Sequence, residues 1–96
     1  MSKEEYVAPD TFEYDQAKSE ANKVKHGIDF VEAQALWLDD NLVRVAARAA
    51  GEPRFVFVGV IGEKHWSAVI TFRGDAIRII SVRRARQTEV RAYECE

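Results

Sequence analysis

Three apolar segments in the C-terminal half constrain the fold more than any other feature of the chain. The segments at 54–61, 65–72 and 76–82 are rich in β-branched and aromatic residues, and only GEK and RGD separate them. Connections this short, each with a glycine, join neighbouring antiparallel strands. The sequence therefore predicts a β-meander. Before it, LVRVA at 42–46 predicts a further strand, while the alanine-rich residues at 46–50 fit either its continuation or a loop.

The third strand of the meander is predicted to be central in the sheet. By the two-residue period of a β-strand, Ile77 and Ile79 point to one face. Arg78, Ile80 and Val82 point to the other. Apolar side chains on both faces are typical of a strand that is covered on both sides.

The N-terminal part of the chain carries the start and stop signals of a helix. TFEY at 11–14 predicts a short strand, Asp15 offers a carboxylate to cap the helix that follows, and Gly27 can end it in the left-handed conformation. The apolar residues of this helix form a thin stripe at i, i+4 and i+7: Ala17, Ala21 and Val24. An adjacent polar flank holds Lys18, Asn22, Lys25 and His26.

A second helix is predicted over about 29–38. Asp29 and Glu32 have the spacing of a capping box, and Ile28 with Ala33 fits a hydrophobic staple. We expect the helix to bury three apolar residues: Phe30, Ala33 and Trp37.

Polar residues end this second helix: Asp39, Asp40 and Asn41. A helix-ending turn explains the two acids better than a metal site does, because no further ligands are in view. A last helix is predicted over about 84–94, with Val90 and Tyr93 presented to the sheet.

Composition indicates a single globular domain. The 96 residues are 47% apolar and 31% charged, which is ordinary for a protein with one core. We expect 1–10 to be a disordered leader and 11–96 to form the domain. No apolar run approaches the roughly 20 residues that cross a bilayer, and the N-terminus lacks the hydrophobic segment of a signal peptide, so we expect a cytoplasmic protein without membrane association.

The sequence lacks the common metal, nucleotide and acyl-transfer motifs. The lone Cys95 excludes an internal disulfide and a multi-cysteine metal site. There is no HExxH, CxxC, phosphate loop or G-x-S-x-G. We therefore expect neither a metal ion nor a cofactor.

Basic charge is concentrated at 73–91. This stretch holds six arginines against Asp75 and Glu89, a net charge of +4 in a chain whose total is −2. Guanidinium groups bind phosphate oxygens bidentately, which makes the stretch a candidate phosphate site. On composition alone, pairing with the acidic first forty residues or simple solvation is favoured. His26, at a helix C-terminus, fits either a functional cation favoured by the helix dipole or a ring that only caps the helix.

Two long signatures resemble the BrnT family of bacterial type II toxins, which belong to the RelE-like superfamily. The first, F-x-W-D…K…N…K-H-G…F…A, is met, with Tyr in the Trp place, by Phe12, Tyr14, Asp15, Lys18, Asn22, Lys25, His26, Gly27, Phe30 and Ala33. The second, R-G…R-I-I-S-A-R-R-A…E…Y, is met, with Val for Ala, by Arg73, Gly74, Arg78, Ile79, Ile80, Ser81, Val82, Arg83, Arg84, Ala85, Glu89 and Tyr93. With the strand segment RFVFVG from residue 54 included, the resemblance covers nearly the whole chain apart from the first ten residues and the loop around 46–51.

One departure from the family pattern concerns the last helix. The family often has Ser or Thr where Arg86 stands, forming a capping box with the residue that matches Glu89. Without that hydroxyl, the helix either starts earlier, near Ser81, or has a less well held first turn.

The resemblance implies a RelE-like α+β fold in which two N-terminal helices and a C-terminal helix pack on an antiparallel meander. It implies a metal-independent endoribonuclease that inhibits translation, with RNA as substrate. It also implies a partner, the BrnA antitoxin, a ribbon-helix-helix protein through which the toxin would reach DNA indirectly. Two alternatives stay open: a non-catalytic module for antitoxin binding or homodimerisation, and direct DNA binding.

The resemblance and the charge clustering together assign site residues. Proton transfer falls to Lys25 or His26, and phosphate clamping to Arg83 and Arg84. Three further cations are assigned to RNA phosphates: Arg78, Arg86 and Lys18. Three residues are assigned supporting roles, with the glutamate orienting an arginine: Asn22, Glu89 and Tyr93. Strand period places Arg78 and Arg84 on one face and Arg83 on the other, unless the strand ends before Arg83.

Overall fold

The computed structural model describes residues 11–45, 51 and 53–95. The predicted leader at 1–10 and the alanine-rich segment at 46–50 lie outside the described residues. The strands are β1 (Phe12–Glu13), β2 (Val43–Val45), β3 (Phe55–Ile61), β4 (Lys64–Arg73) and β5 (Ala76–Arg84). The helices are α1 (Gln16–His26), the 3₁₀ helix α2 (Glu32–Leu38) and α3 (Gln87–Glu94). None of these helices is long and apolar enough to cross a membrane.

The strands form one mixed sheet in the order β1-β5-β4-β3-β2. The predicted meander of β3, β4 and β5 is confirmed, and its two turns begin at Gly62 and Gly74, with φ of 65° and 58°. The expectation of a wholly antiparallel sheet is wrong, because β1 pairs parallel to β5, with Phe12 opposite Ile77. The helices and strands between β1 and β5 bring the chain back so that β5 runs beside β1 in the same direction. This pairing gives β5 a neighbour on each side, in agreement with its apolar content, but the central strand of the five is β4.

A β-bulge in β5 changes which residues share a face. Ile70 of β4 pairs with Ile79, whereas the preceding Val69 pairs with Ser81, so Ile80 is an extra residue. An extra residue shifts the alternation of every side chain after it. Ile79 and Val82 are therefore both buried in the same core, 2% and 0% exposed. The prediction that they point to opposite faces is wrong.

The same bulge reverses the predicted arrangement of the arginines. Thr71 of β4 lies opposite Arg78, and Ser67, four residues away and thus on the same face, lies opposite Arg83. Arg84 lies on the other face. The alternative that the strand ends before Arg83 is wrong, because β5 continues through Arg84.

The main core lies between one face of the sheet and the first two helices. The helical side contributes Ile28, Phe30, Ala33, Leu36 and Trp37, and the sheet contributes Trp66, Ala68, Ile70, Ile77, Ile79 and Val82. Burial of the three residues predicted for the second helix is confirmed. Its capping box is also confirmed, because the Glu32 backbone N–H donates to Asp29 Oδ1 at 2.7 Å and the Asp29 N–H donates to Glu32 Oε1 at 2.9 Å.

Helix α1 begins and ends as predicted. The Lys18 backbone N–H donates to Asp15 Oδ1 at 3.0 Å, and Gly27 ends the helix with φ 86°. The apolar stripe, however, does not face the core: Ala17, Ala21 and Val24 are exposed. The helix instead buries Ser19 and Asn22.

The buried polar residues of α1 bond to the backbone of other segments. Ser19 Oγ accepts from the Phe30 N–H at 2.9 Å. The Asn22 amide donates at 2.8 Å to the carbonyls of Ile28 and Val82, and its oxygen accepts from the Val82 N–H at 3.2 Å. Asn22 therefore takes the place of a neighbouring strand at the point where β1 no longer covers the edge of β5.

Helix α3 packs on the face opposite the main core, where it contacts β2 and β3. It begins at Gln87, so the expected starts near residue 84 or Ser81 are wrong, because β5 continues as strand through Arg84. None of its residues is fully buried. Helix α3 is therefore held on the sheet largely by the polar contacts of Glu89 and Tyr93.

Candidate active site at the strand ends

Six polar side chains gather where β5 ends and β4 begins. We call them the strand-end cluster: His65, Ser67, Arg83, Arg84, Glu89 and Tyr93. The register between β4 and β5 brings the strand residues of this cluster together. Ser67 lies opposite Arg83, and the Ala85 N–H donates to the His65 carbonyl at 3.0 Å. Helix α3 follows this strand end after two residues and brings the remaining two, Glu89 and Tyr93, back over it.

Arg83 and Glu89 form a closed ion pair at the centre of the cluster. Arg83 NH1 and NH2 donate to the two carboxylate oxygens of Glu89 at 2.8 and 2.9 Å. The two side chains are only 21% and 13% exposed. Bidentate pairing of this kind fixes a guanidinium in both position and orientation.

The Glu89 carboxylate accepts two more hydrogen bonds. Ser67 Oγ and the Arg86 backbone N–H both donate to Oε1 at 2.8 Å. The hydrogen bond from Arg83, followed by those from Arg86 and Ser67, lowers the pKa of Glu89 to about 2. The same pairing raises the pKa of Arg83. Both groups are therefore charged at neutral pH, and Glu89 is unsuited to accept a proton in catalysis.

The Arg86–Glu89 contact is half of a capping box. Glu89 accepts from the N–H of Arg86, but a guanidinium has no acceptor to offer in return. The less well held first turn expected from the missing hydroxyl therefore has a structural basis, while Ser67 and Arg83 compensate by anchoring Glu89.

Arg83 retains donors for a ligand. Its NH1 also donates to the Arg84 carbonyl at 3.3 Å, so three of its five N–H donors are used. No acceptor among the described residues takes the remaining two, which can contact a phosphate oxygen while Glu89 holds the group in place.

Arg84 lies on the other face of the sheet and differs in character. Its guanidinium carbon is 5.6 Å from the ring centroid of Trp66, and its Nε donates to the His65 carbonyl at 3.3 Å. The side chain is exposed. In the part of the chain that the structure describes, no carboxylate forms a salt bridge with it. A cation that is positioned but not neutralised is what phosphate binding requires.

His65 and Tyr93 extend the cluster towards the open end of the sheet. Their rings meet edge to face, with centroids 5.1 Å apart. The Tyr93 hydroxyl donates to Asp39 Oδ2 at 2.8 Å, an atom that also accepts from the Val60 N–H at 2.9 Å. Partial burial and then the bond to Asp39 raise the pKa of Tyr93.

Sequence reasoning overlooked His65 and Ser67. The available signal was the alternation in H-W-S, which puts both polar residues on the face opposite the buried Trp66. Their approach to Arg83 and Glu89 depends on the register between β4 and β5, which no local pattern encodes.

Lys25 and His26 occupy the last turn of α1, exposed and half-buried respectively. The residues just after them, Gly27 and Ile28, line a cavity of about 200 Å³ together with Trp66. Because Arg84 lies over Trp66, the end of α1 approaches the strand end from the Arg84 side of the sheet. The predicted proton-transfer residues therefore lie nearer to Arg84 than to the face that carries Arg83.

The other predicted phosphate contacts are spread more widely. Arg78 lies opposite Thr71 and Arg83 opposite Ser67, so the two arginines are about four strand positions, or about 13 Å, apart along the sheet. The NH1 of Arg78 is 3.8 Å from Glu13 Oε1. Lys18 is exposed in the first turn of α1, and Arg86 is exposed beside the strand end. Of these three cations, the structure brings only Arg86 next to the strand-end cluster.

The described residues contain no group of three or more His, Cys, Asp or Glu that could hold a metal ion. Asp39, for which the sequence favoured a helix-ending turn over a metal site, accepts from the backbone of Asn41 and Val60 and from Tyr93. These bonds give Asp39 the structural role expected of a helix-ending turn.

A comparison with protein families matches residues 14–89 to a family described as the ribonuclease toxin, BrnT, of type II toxin-antitoxin systems. The matched region contains every member of the strand-end cluster except Tyr93. A comparison with curated proteins found no match.

Proposed function

Because the chain belongs to the BrnT family of ribonuclease toxins from type II toxin-antitoxin systems, we propose that it is an endoribonuclease that cleaves RNA without a metal ion and thereby inhibits translation in the cytoplasm. We also propose that its fold is RelE-like, since helices cover both faces of a small sheet in which an inner strand, β5, carries the basic residues. A ribbon-helix-helix antitoxin of the BrnA type neutralises it.

The reaction sets clear chemical requirements. A ribonuclease without a metal must remove the proton of a 2′-hydroxyl, stabilise the negative charge that builds up on the phosphorus oxygens, and protonate the leaving 5′-oxygen. Fixed cations at the phosphate meet the second requirement without reorganising during the reaction.

The observation that carries the proposal is the contrast between the two adjacent arginines. Arg83 is neutralised and oriented by Glu89, whereas Arg84 is exposed, rests on Trp66 and has no carboxylate partner among the described residues. We assign Arg84 as the main phosphate clamp. Arg83 assists through its two remaining donors, and Glu89 positions it.

Other cations extend the RNA-binding surface. Lys25 and His26 approach from the Arg84 side and are candidates for proton transfer or phosphate contact. Arg86 contacts a phosphate next to the scissile one, while Lys18 and Arg78 are far enough away to contact flanking nucleotides only.

DNA binding is assigned to the antitoxin. The toxin has a net charge of −2, and its basic stretch is local, which does not favour sequence-independent contact with duplex DNA. We expect the complex to shift promoter DNA in a gel and the isolated chain not to. A small ribbon-helix-helix protein encoded beside this gene would identify the partner.

The experiment that tests the enzymatic proposal incubates the purified chain with RNA in the presence and absence of EDTA. We expect equal cleavage in both conditions, with 5′-hydroxyl product ends. The matched control is the Arg83→Ala, Arg84→Ala double variant, which should leave the RNA intact. Intact RNA with the wild-type chain would contradict the proposal and favour a non-catalytic module that binds the antitoxin or dimerises. Cleavage abolished by EDTA would contradict metal independence alone.

A further inference from the structure

We propose that His65 is the catalytic base of this ribonuclease, taking the proton from the attacking 2′-hydroxyl. The inference rests on the proposed function and goes beyond the residues that the sequence indicated. It places the chemistry at the end of the sheet under α3, rather than on the last turn of α1.

His65 has the right place relative to the cations. Ser67 lies directly opposite Arg83, and His65 is two residues from Ser67 on the same face of β4. Residues related diagonally in this way lie about 7 to 8 Å apart on the sheet. The imidazole and the guanidinium therefore start from neighbouring positions on one face, within reach of the same phosphodiester group.

The second arginine is tied to the same residue through the backbone. Arg84 Nε donates to the His65 carbonyl at 3.3 Å. The phosphate clamp is therefore anchored to the backbone of the residue that carries the imidazole, although the two side chains leave opposite faces of the sheet. Substrate that reaches around the strand end meets both.

Helix α3 holds both halves of this arrangement. Glu89 and Tyr93 are four residues apart and thus on the same side of the helix. Glu89 orients Arg83, and Tyr93 supports the imidazole of His65 edge on, while its own hydroxyl is fixed by Asp39. Through Glu89 and Tyr93, α3 thus contacts both Arg83 and His65.

The other histidine of the chain is less well placed. His26 is in the last turn of α1, beside the main core, whereas Arg83 and Glu89 lie on the face covered by α3. Of the two histidines in the sequence, only His65 shares a sheet face with Arg83. Histidine is also the side chain most often used for proton transfer near neutral pH.

The proposed step balances as follows. The neutral imidazole of His65 accepts the 2′-hydroxyl proton while the oxygen electron pair forms the new P–O2′ bond. The P–O5′ bond breaks, its electron pair stays on the 5′-oxygen, and that oxygen takes a proton from water. The resulting hydroxide is neutralised by the imidazolium, which regenerates His65. The products are a 2′,3′-cyclic phosphate and a 5′-hydroxyl.

The test compares RNA cleavage by the wild-type chain, His65→Ala and His65→Gln, with and without added imidazole. We expect His65→Ala to lose at least about 100-fold in rate, the scale of general base catalysis. Imidazole should restore part of the activity of His65→Ala. His65→Gln, which keeps bulk against Tyr93, should be equally impaired. Val69→Ala, four residues away on the same face, is the matched control and should cleave within about threefold of wild type.

Several results would overturn the inference. Cleavage by His65→Ala near the wild-type rate would remove His65 from catalysis, and a loss that imidazole does not repair would make its role structural. Imidazole rescue of His26→Ala instead would place the base on α1. A wild-type chain that leaves RNA intact would contradict the ribonuclease proposal itself, and the base assignment with it, so the two failures are distinguishable.

Discussion

The side-chain amide of Asn22 pairs with both backbone groups of Val82, accepting from its N–H at 3.2 Å and donating to its carbonyl at 2.8 Å. The contact spans 60 residues of sequence and joins α1 to the edge of β5 immediately before the two strand-end arginines. It fixes the strand from which Arg83 and Arg84 emerge. Asn22, assigned a supporting role on the sequence, thus connects the two family signatures physically.

Asn22→Ala should destabilise the protein strongly. It leaves both Val82 groups and the Ile28 carbonyl without their partner in a buried site, which costs about 2 to 4 kcal/mol in the free energy of unfolding. Urea denaturation followed by tryptophan fluorescence measures this cost. Val24→Ala, on the exposed side of the same helix, should change the unfolding free energy by less than about 0.5 kcal/mol. Equal effects of the two substitutions would refute the bridging role.

The Glu89 ion pair makes stability depend on pH in a defined window. The pKa of Glu89 is about 2 in the folded chain against an ordinary value of 4.5. As the pH falls below 4.5, the Glu89 carboxylate is protonated in the unfolded chain before it is protonated in the folded chain. The stabilisation that Glu89 gives to the folded state is therefore lost progressively between pH 4.5 and about 2. Allowing for solvent screening, the pair contributes about 1 to 2 kcal/mol at neutral pH.

Glu89→Gln tests that contribution. The variant should unfold about 1 to 2 kcal/mol more easily than wild type at neutral pH. The difference should shrink as the pH approaches the folded-state pKa of Glu89, about 2. Glu94→Gln, at the exposed end of the same helix, is the matched control and should follow the wild-type curve. A Glu89→Gln deficit that stays constant across this pH range would show that the ion pair is not its cause.

Gly59→Ala should destabilise the core near Tyr93. A Cβ at this position would lie 2.9 Å from Leu36 Cδ2 and 3.0 Å from Leu42 Cδ1. Overpacking of this kind costs about 1 to 3 kcal/mol. Thermal unfolding of Gly59→Ala with and without Leu36→Val provides the measurement. We expect Leu36→Val to be less harmful in the Gly59→Ala background, and simple additivity of the two changes would contradict this packing.

The features that the sequence predicted correctly are those set by neighbouring residues. The Asp29–Glu32 capping box, the Asp15 cap and the glycine turns of the meander all depend on positions within four residues of one another. Such local hydrogen bonds and backbone preferences are encoded in short patterns.

The features that the sequence missed depend on distant partners. The bulge at Ile80 arises from pairing with β4, and it alone reverses the faces of Arg83 and Arg84. Burial of Asn22 rather than Val24 requires the edge of β5 as a partner, which helical periodicity does not reveal. The surroundings of His65 are likewise non-local, since the register of β4 with β5 places it near Arg83 and the return of α3 places it against Tyr93.

The most direct test of the proposed function compares Arg84→Ala with Arg91→Ala, an exposed arginine on α3, in RNA cleavage by purified protein and in growth arrest on expression. Arg84 is exposed, so both variants should unfold within about 0.5 kcal/mol of wild type. We predict that Arg84→Ala loses about 100-fold or more of the cleavage rate, the scale of removing one charge-stabilising group from an active site, and no longer arrests growth. Arg91→Ala should retain both activities. Full cleavage and growth arrest by a normally folded Arg84→Ala would contradict the proposal that the end of β5 clamps the scissile phosphate.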